Sequence, residues 1–126
     1  MAEPVPVYKK QYKIELGDID FQKKLKISAL FNYFQDIASL HAENLGVGID
    51  SLINDYGVTW VLTRIRVDME RLPELGEDII IETWPQHPGR LEFDRDFLVR
   101  DASGNVLARA ASTWVIMDIA AREIKK

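Results

Sequence analysis

Ser28-Ala-Leu-Phe-Asn-Tyr-Phe-Gln-Asp-Ile-Ala-Ser-Leu-His-Ala-Glu-Asn-Leu45, followed by Gly46, decides the fold. Leu30, Phe31, Tyr33, Phe34, Ile37, Ala38, Leu40 and Leu45 put apolar groups on nearly every side of a helix. A helix of that kind is expected inside a protein, apolar all round and buried. Ser28 is expected as its N-cap, since a serine hydroxyl accepts a free first-turn N–H. Gly46 is expected to end it in the left-handed conformation. Something must enclose such a helix, and the rest of the chain is written mostly in strands.

Before the helix, residues 1–6 read as a loose tail, residues 7–15 as a strand, and Gly17-Asp18-Ile19-Asp20 as a turn. After it, residues 47–56 read as a short helical turn or loop ending at Gly57. Four strand-like runs follow, at 58–70, 78–84, 91–100 and 106–118, broken by Pro73 and Gly76, by Pro85 with Pro88-Gly89, and by Asp101-Ala-Ser-Gly104-Asn. The last of these breaks is a hairpin signal. Short connections make the strands antiparallel, because a parallel return needs a crossover of about a dozen residues. One strand, a long central helix and a four-stranded meander are therefore expected, with a polar, fraying end at 119–126. This is an α+β chain in which one antiparallel sheet curls around one helix, the order of a hotdog fold, as a single domain over 1–126.

Composition bounds the function. With 126 residues and 47% hydrophobic content, the chain suits one globular domain. No run approaches the roughly 20 apolar residues of a membrane span, and the first residues lack a secretory pattern. A cytoplasmic protein with no membrane partner is expected. The absence of cysteine removes disulfides, cysteine-zinc sites and a thiol nucleophile. His41 and His87 have no companions at ligand spacing, so no metal and no cofactor is expected. A net charge of −4 argues against nucleic acid. Lysines gather before the helix, Lys23, Lys24 and Lys26 among them, and such a patch either docks an acidic partner or discourages strand pairing at an edge.

Asp18 and Asp20 precede the helix. Near its N-terminus, where free N–H groups polarise a carbonyl, a carboxylate can act as base or nucleophile; equally, both can simply shape a turn. Gln35, two turns in, either orients a carbonyl or water or is a buried amide that needs backbone partners. Trp60, Trp84 and Trp114 stand near strand ends and, with Phe31, Phe34 and Ile37, either line an acyl tunnel or pack a core. Arg95 interrupts the apolar face of its strand, which points to an edge position or a buried ion pair.

An ordered set of segments resembles the N-terminal half of the acyl-acyl-carrier-protein thioesterases of bacteria and plants. The set comprises Asp18-Ile-Asp20, Leu30 through Gln35-Asp36-Ile-Ala38 with His41-Ala, and Leu45-Gly46-Val-Gly48. It continues through Trp60-Val-Leu-Thr-Arg64, Glu70-Arg-Leu-Pro73 with Gly76-Glu77, Thr83-Trp84-Pro85 and Ser112-Thr-Trp114-Val-Ile-Met-Asp118. The resemblance implies a hotdog fold and a part in releasing fatty acids from acyl-carrier protein. Family members typically carry two hotdog domains, the N-terminal one shaping the acyl pocket and the C-terminal one holding an Asn/His-containing catalytic motif with acidic partners. This chain departs from that pattern in presenting a single domain and is expected to be weakly active or inactive by itself. Simpler hotdog thioesterases follow an Asp-x-Asp pair with Gly-His-Val-Asn-Asn; here Lys23-Lys24-Leu25-Lys26-Ile27 stands in that place, and Gln35 stands where such enzymes often have Glu. Three readings result. The chain is the acyl-holding half of such an enzyme, paired with a second domain or a second copy. Or it is a self-sufficient homodimeric hydrolase of acyl-carrier-protein or coenzyme A thioesters, using Asp20 or Asp18 with the partner's Gln35. Or it is a binding module without catalysis.

Overall fold

The computed structural model describes residues 3–87, 89 and 91–124. Strand β1 (Tyr8–Lys13) leads through a single 3-10 turn (Leu16–Asp18) to helix α1 (Ile27–Asn44) and the shorter α2 (Ile49–Tyr56). Strands β2 (Val58–Met69), β3 (Asp78–Pro85), β4 (Phe93–Asp101), β5 (Val106–Asp118) and β6 (Glu123–Ile124) complete the chain. All pairings are antiparallel, in the order β1-β3-β4-β5-β2, with β6 on β5.

The expected meander is therefore corrected. β3, β4 and β5 do run as a meander, but β2 lies beyond β5 and not beside β3. Turn signals at Pro73 and Gly76 mark where a strand stops; they carry no information on its neighbour. The chain end is corrected too: Glu123 and Ile124 return to pair with Asp118 and Met117, while the last two residues lie outside the described part, as does Pro88.

Cross-strand partners share a face of a sheet, so the register identifies the side that meets α1. Pro85, Arg95, Ser112 and Ile65 form one inward row; Thr83, Phe97, Ala110 and Val67 form the next. A bulge at Thr63, between the Leu62 and Arg64 pairings, shifts the alternation of β2. It puts Trp60 and Leu62 on the same side as Ile65, Val67 and Met69, where a strict two-residue period would set them opposite.

Helix α1 lies against this inner face. Ala29, Leu30, Phe34, Ile37, Ala38, His41 and Ala42 are its buried residues, and Phe34 stacks on Phe97 with ring centroids 4.4 Å apart. Such a stack is worth about 0.5–1.5 kcal/mol beyond the area it buries. Full enclosure is not what results. Ser28, Asn32, Gln35, Asp36 and Glu43 are exposed along one side, because these polar residues recur at helical spacing and form a stripe of their own. Ser28 is not the cap: Lys26 holds the N-cap position, with no side-chain cap hydrogen bond. Gly46 does take the left-handed conformation, at φ +85°.

Candidate functional site

Between the C-terminal half of α1 and the starts of β2 and β4 lies a cavity of 620 Å³. Its floor exists because α1 presents small side chains one turn apart, Ala38 and Ala42. Its walls are aromatic: Trp60 meets Phe93 edge-on at 5.0 Å and 85°, and Trp114 stands beside them. Both indole N–H groups are taken, Trp60 Nε1 donating to the Val47 carbonyl at 3.1 Å and Trp114 Nε1 to Ser112 Oγ at 2.8 Å. The rings thus offer apolar surface to the cavity while their polar atoms stay satisfied.

Polar groups enter the lining at Gln35, Ser39, Gln86, Asp94 and Arg95. Asp94 accepts the Thr113 hydroxyl at 2.9 Å. Arg95 is neither at an edge nor in an ion pair, the two options its sequence position suggested. Its strand runs between β3 and β5, and no carboxylate among the described residues pairs with it. Its Nη1 donates to His41 Nδ1 at 2.8 Å and to Thr83 Oγ1 at 3.1 Å. Burial pushes its pKa down to about 10, which still leaves it a cation at neutral pH.

His41 is fully buried, and its partners fix its proton. Nε2 lies 2.6 Å from the Val5 carbonyl, which only accepts, so Nε2 carries the hydrogen. Arginine only donates, so Nδ1 is the acceptor and the ring is neutral. Burial lowers the imidazole pKa and the Arg95 charge lowers it further, against the opposing pull of the Val5 carbonyl. The tail is thereby fastened: Val5 N–H also donates to Asn44 Oδ1 at 2.9 Å, and Asn44 Nδ2 to the Glu3 carbonyl at 3.0 Å. The loose tail expected for residues 1–6 is corrected from residue 3 onward; the first two residues lie outside the described part.

The other sequence candidates fall in several places. Gln35, Trp60 and Trp114 line the cavity. Phe34 and Ile37 are sealed in the core with Phe31 packed against it, since the stripe they occupy is the one α1 presses on the sheet. Trp84 is on the opposite, convex face of the sheet, in a shallower depression beside Arg66 and Arg109. Those four are not in the cavity wall. Asp18 accepts from the Glu15 N–H at 3.0 Å and from the Tyr33 hydroxyl. Asp20 Oδ1 accepts from Gln22 N–H at 2.8 Å and Lys24 N–H at 3.1 Å. Both carboxylates build the turn before α1, and roughly 12 Å of helix separates that turn from Gln35. Lys23, Lys24 and Lys26 are exposed beside it. Among the described residues, no group of three or more His, Cys, Asp or Glu is placed to hold a metal. Phe93 and Arg95 are among the wall residues that the sequence did not assign to a site; for Arg95, a lone charge in an otherwise apolar face was the available signal.

A sheet curled about one long helix, with an apolar cavity beside that helix, defines a hotdog domain. The fold recurs at low identity in a 1,4-dihydroxy-2-naphthoyl-CoA thioesterase from Synechocystis, 14% identical with a TM-score of 0.83, over 94% of this chain and 88% of that one. The chain belongs to the acyl-ACP thioesterase N-terminal domain family, whose model matches residues 6–126. An acyl-ACP thioesterase from Bacteroides thetaiotaomicron is 30% identical, with a TM-score of 0.90 over 100% of this chain and 51% of that structure. A 12:0-ACP thioesterase from Umbellularia californica is 28% identical, with a TM-score of 0.84 over 95% and 46%. The chloroplastic oleoyl-acyl carrier protein thioesterase 2 of Arabidopsis thaliana is 28% identical over 94% of this chain and 34% of its own length. The chain spans about a third of the curated relatives it matches and about half of the two acyl-ACP thioesterase structures.

Proposed function

We propose that this chain is the acyl-holding hotdog half of an acyl-ACP thioesterase. The fatty chain lies in the cavity beside Ala38 and Ala42, against Trp60, Phe93 and Trp114. A second hotdog domain, on the same polypeptide or supplied by a second copy, completes the site of hydrolysis. Gln35 meets the carbonyl end; its exposure on α1 and its position in the cavity lining support that role. Lys23, Lys24 and Lys26 form the surface for an acidic carrier protein. The turn-building hydrogen bonds of Asp18 and Asp20 favour a structural part for both.

One observation carries the reading: a 620 Å³ apolar cavity, within the range of small-molecule sites, whose tryptophan N–H groups are already satisfied. The test is a titration of the purified chain with acyl-ACP and acyl-CoA thioesters of increasing length, followed by tryptophan fluorescence, with turnover and solution mass measured alongside. Affinity is expected to grow by about 0.8 kcal/mol per methylene until the cavity is full. Affinity independent of chain length overturns the proposal. Rapid turnover by the purified chain that is abolished in Asp20→Asn favours the self-sufficient homodimeric hydrolase.

A further inference from the structure

An arginine facing an apolar cavity without a counter-ion has a destination for only part of its guanidinium. Nη1 is engaged by His41 and Thr83. Nε and Nη2 have no partner among the described residues, and together they form the edge that meets a carboxylate with two parallel hydrogen bonds. No fully buried side-chain nitrogen or oxygen lacks a partner among the described residues. The unpaired edge is therefore not sealed inside protein; the space open to it is the cavity that Arg95 lines. The two acidic neighbours in the chain are engaged elsewhere, Asp94 accepting from the Thr113 hydroxyl and Asp96 from the Gln86 amide.

The support behind Arg95 is rigid. Its strand is held on both sides. Thr83, its second partner, is fully buried and donates its own hydroxyl to the Asp96 carbonyl at 2.9 Å. His41 is locked in one tautomer by the Val5 carbonyl. A guanidinium fixed in this way has little conformational freedom to lose when an anion arrives.

We infer that the cavity contains an anion subsite in which the Nε–Nη2 edge of Arg95 holds the carboxylate of a free fatty acid while the tail lies along Trp60 and Trp114. The inference rests on the acyl-holding reading and adds to it a preference for the hydrolysed, charged form of the acyl group. A thioester has no such charge, so the subsite separates acid from ester by electrostatics and not by tail length.

The test compares decanoate with decanol and methyl decanoate, below micelle formation at neutral pH, by calorimetric titration of the purified chain. Decanoate is expected to bind at least tenfold more tightly than either neutral ligand, the scale of a hydrogen bond to a charged group. In Arg95→Met that preference is expected to vanish, with decanoate and decanol binding equally within the same variant. Arg95→Lys, which keeps the charge and loses the fork, is expected to retain an intermediate preference, and it serves if the methionine variant does not fold. Equal binding of acid and alcohol by the wild type overturns the subsite and leaves the acyl-holding reading standing. Binding of none of the three ligands overturns both. An acid preference unchanged in either folded variant assigns the anion to another group and overturns the part given to Arg95.

Discussion

Replacing Ala42 with leucine tests whether the cavity beside α1 holds the acyl chain. Ala42 is 8% exposed and lines the cavity floor. Leucine adds about three carbon atoms, which occupy the space of about three methylenes of a ligand. At about 0.8 kcal/mol each, the lost contact is about 2.4 kcal/mol, or roughly fifty-fold in affinity. The loss belongs only to chains long enough to reach the filled region, so a length series in the variant should level off about three methylenes earlier than in wild type. Stability should move the other way. A leucine entering empty apolar space gains burial, whereas one forced into packed core costs about 1–3 kcal/mol. Tryptophan fluorescence gives the affinities and thermal melting gives the stability. Unchanged affinity for the longest chain refutes the reasoning. So does a fall in melting temperature with no change in the length series, because the added atoms then went into core.

Other outcomes follow from the same geometry. His41 has a lowered pKa in the folded state, so the unfolded chain binds a proton first as pH falls through about 6.5. Its contribution to stability is complete above that pH and declines below it, with a slope of at most about 1.4 kcal/mol per pH unit. Melting curves between about pH 8 and 5 should show this decline in wild type and a weaker one in His41→Gln. Phe34→Ala removes a core ring 1% exposed and stacked on Phe97; a loss of about 3–5 kcal/mol is expected in urea denaturation. Asp20→Ala strips the acceptor from two turn N–H groups and should cost about 1 kcal/mol without altering acyl affinity. Asp20→Asn keeps an acceptor oxygen and should match wild type in both measurements; a hundredfold loss of turnover in that variant would assign Asp20 to catalysis.

Local chemistry was legible wherever one residue type dictates one backbone state. Gly46, Gly57 and Gly104 all adopt positive φ where the sequence placed the ends of α1 and α2 and the last hairpin, and Asp101 folds that hairpin by accepting from Ser103 and Asn105. The existence of α1 was clear from its periodicity. Its exposed stripe was hidden, because the large apolar residues drew attention from the intervening Asn32, Gln35 and Asp36. Strand order was not legible, since β2 finds β5 across the length of two other strands. The cavity was half legible. Trp60 and Trp114 were candidates from their chemistry, but the bulge at Thr63 and the inward row through Arg95 exist only in the pairing register. Trp84 shows the converse, an equally suitable residue carried to the convex face by alternation alone.

The knot formed by Val5, His41 and Asn44 sets a lower limit on how far the beginning of the chain can be trimmed. A version starting at Val7 keeps every strand and helix, yet deprives the His41 Nε2–H of its acceptor deep inside the molecule. An orphaned donor at such depth costs about 1–3 kcal/mol. The ring would then be free to turn, and the arginine that leans on its other nitrogen would lose a support. Residues 3–6, which belong to no regular element, thus act as the pin behind the Arg95 side of the cavity wall.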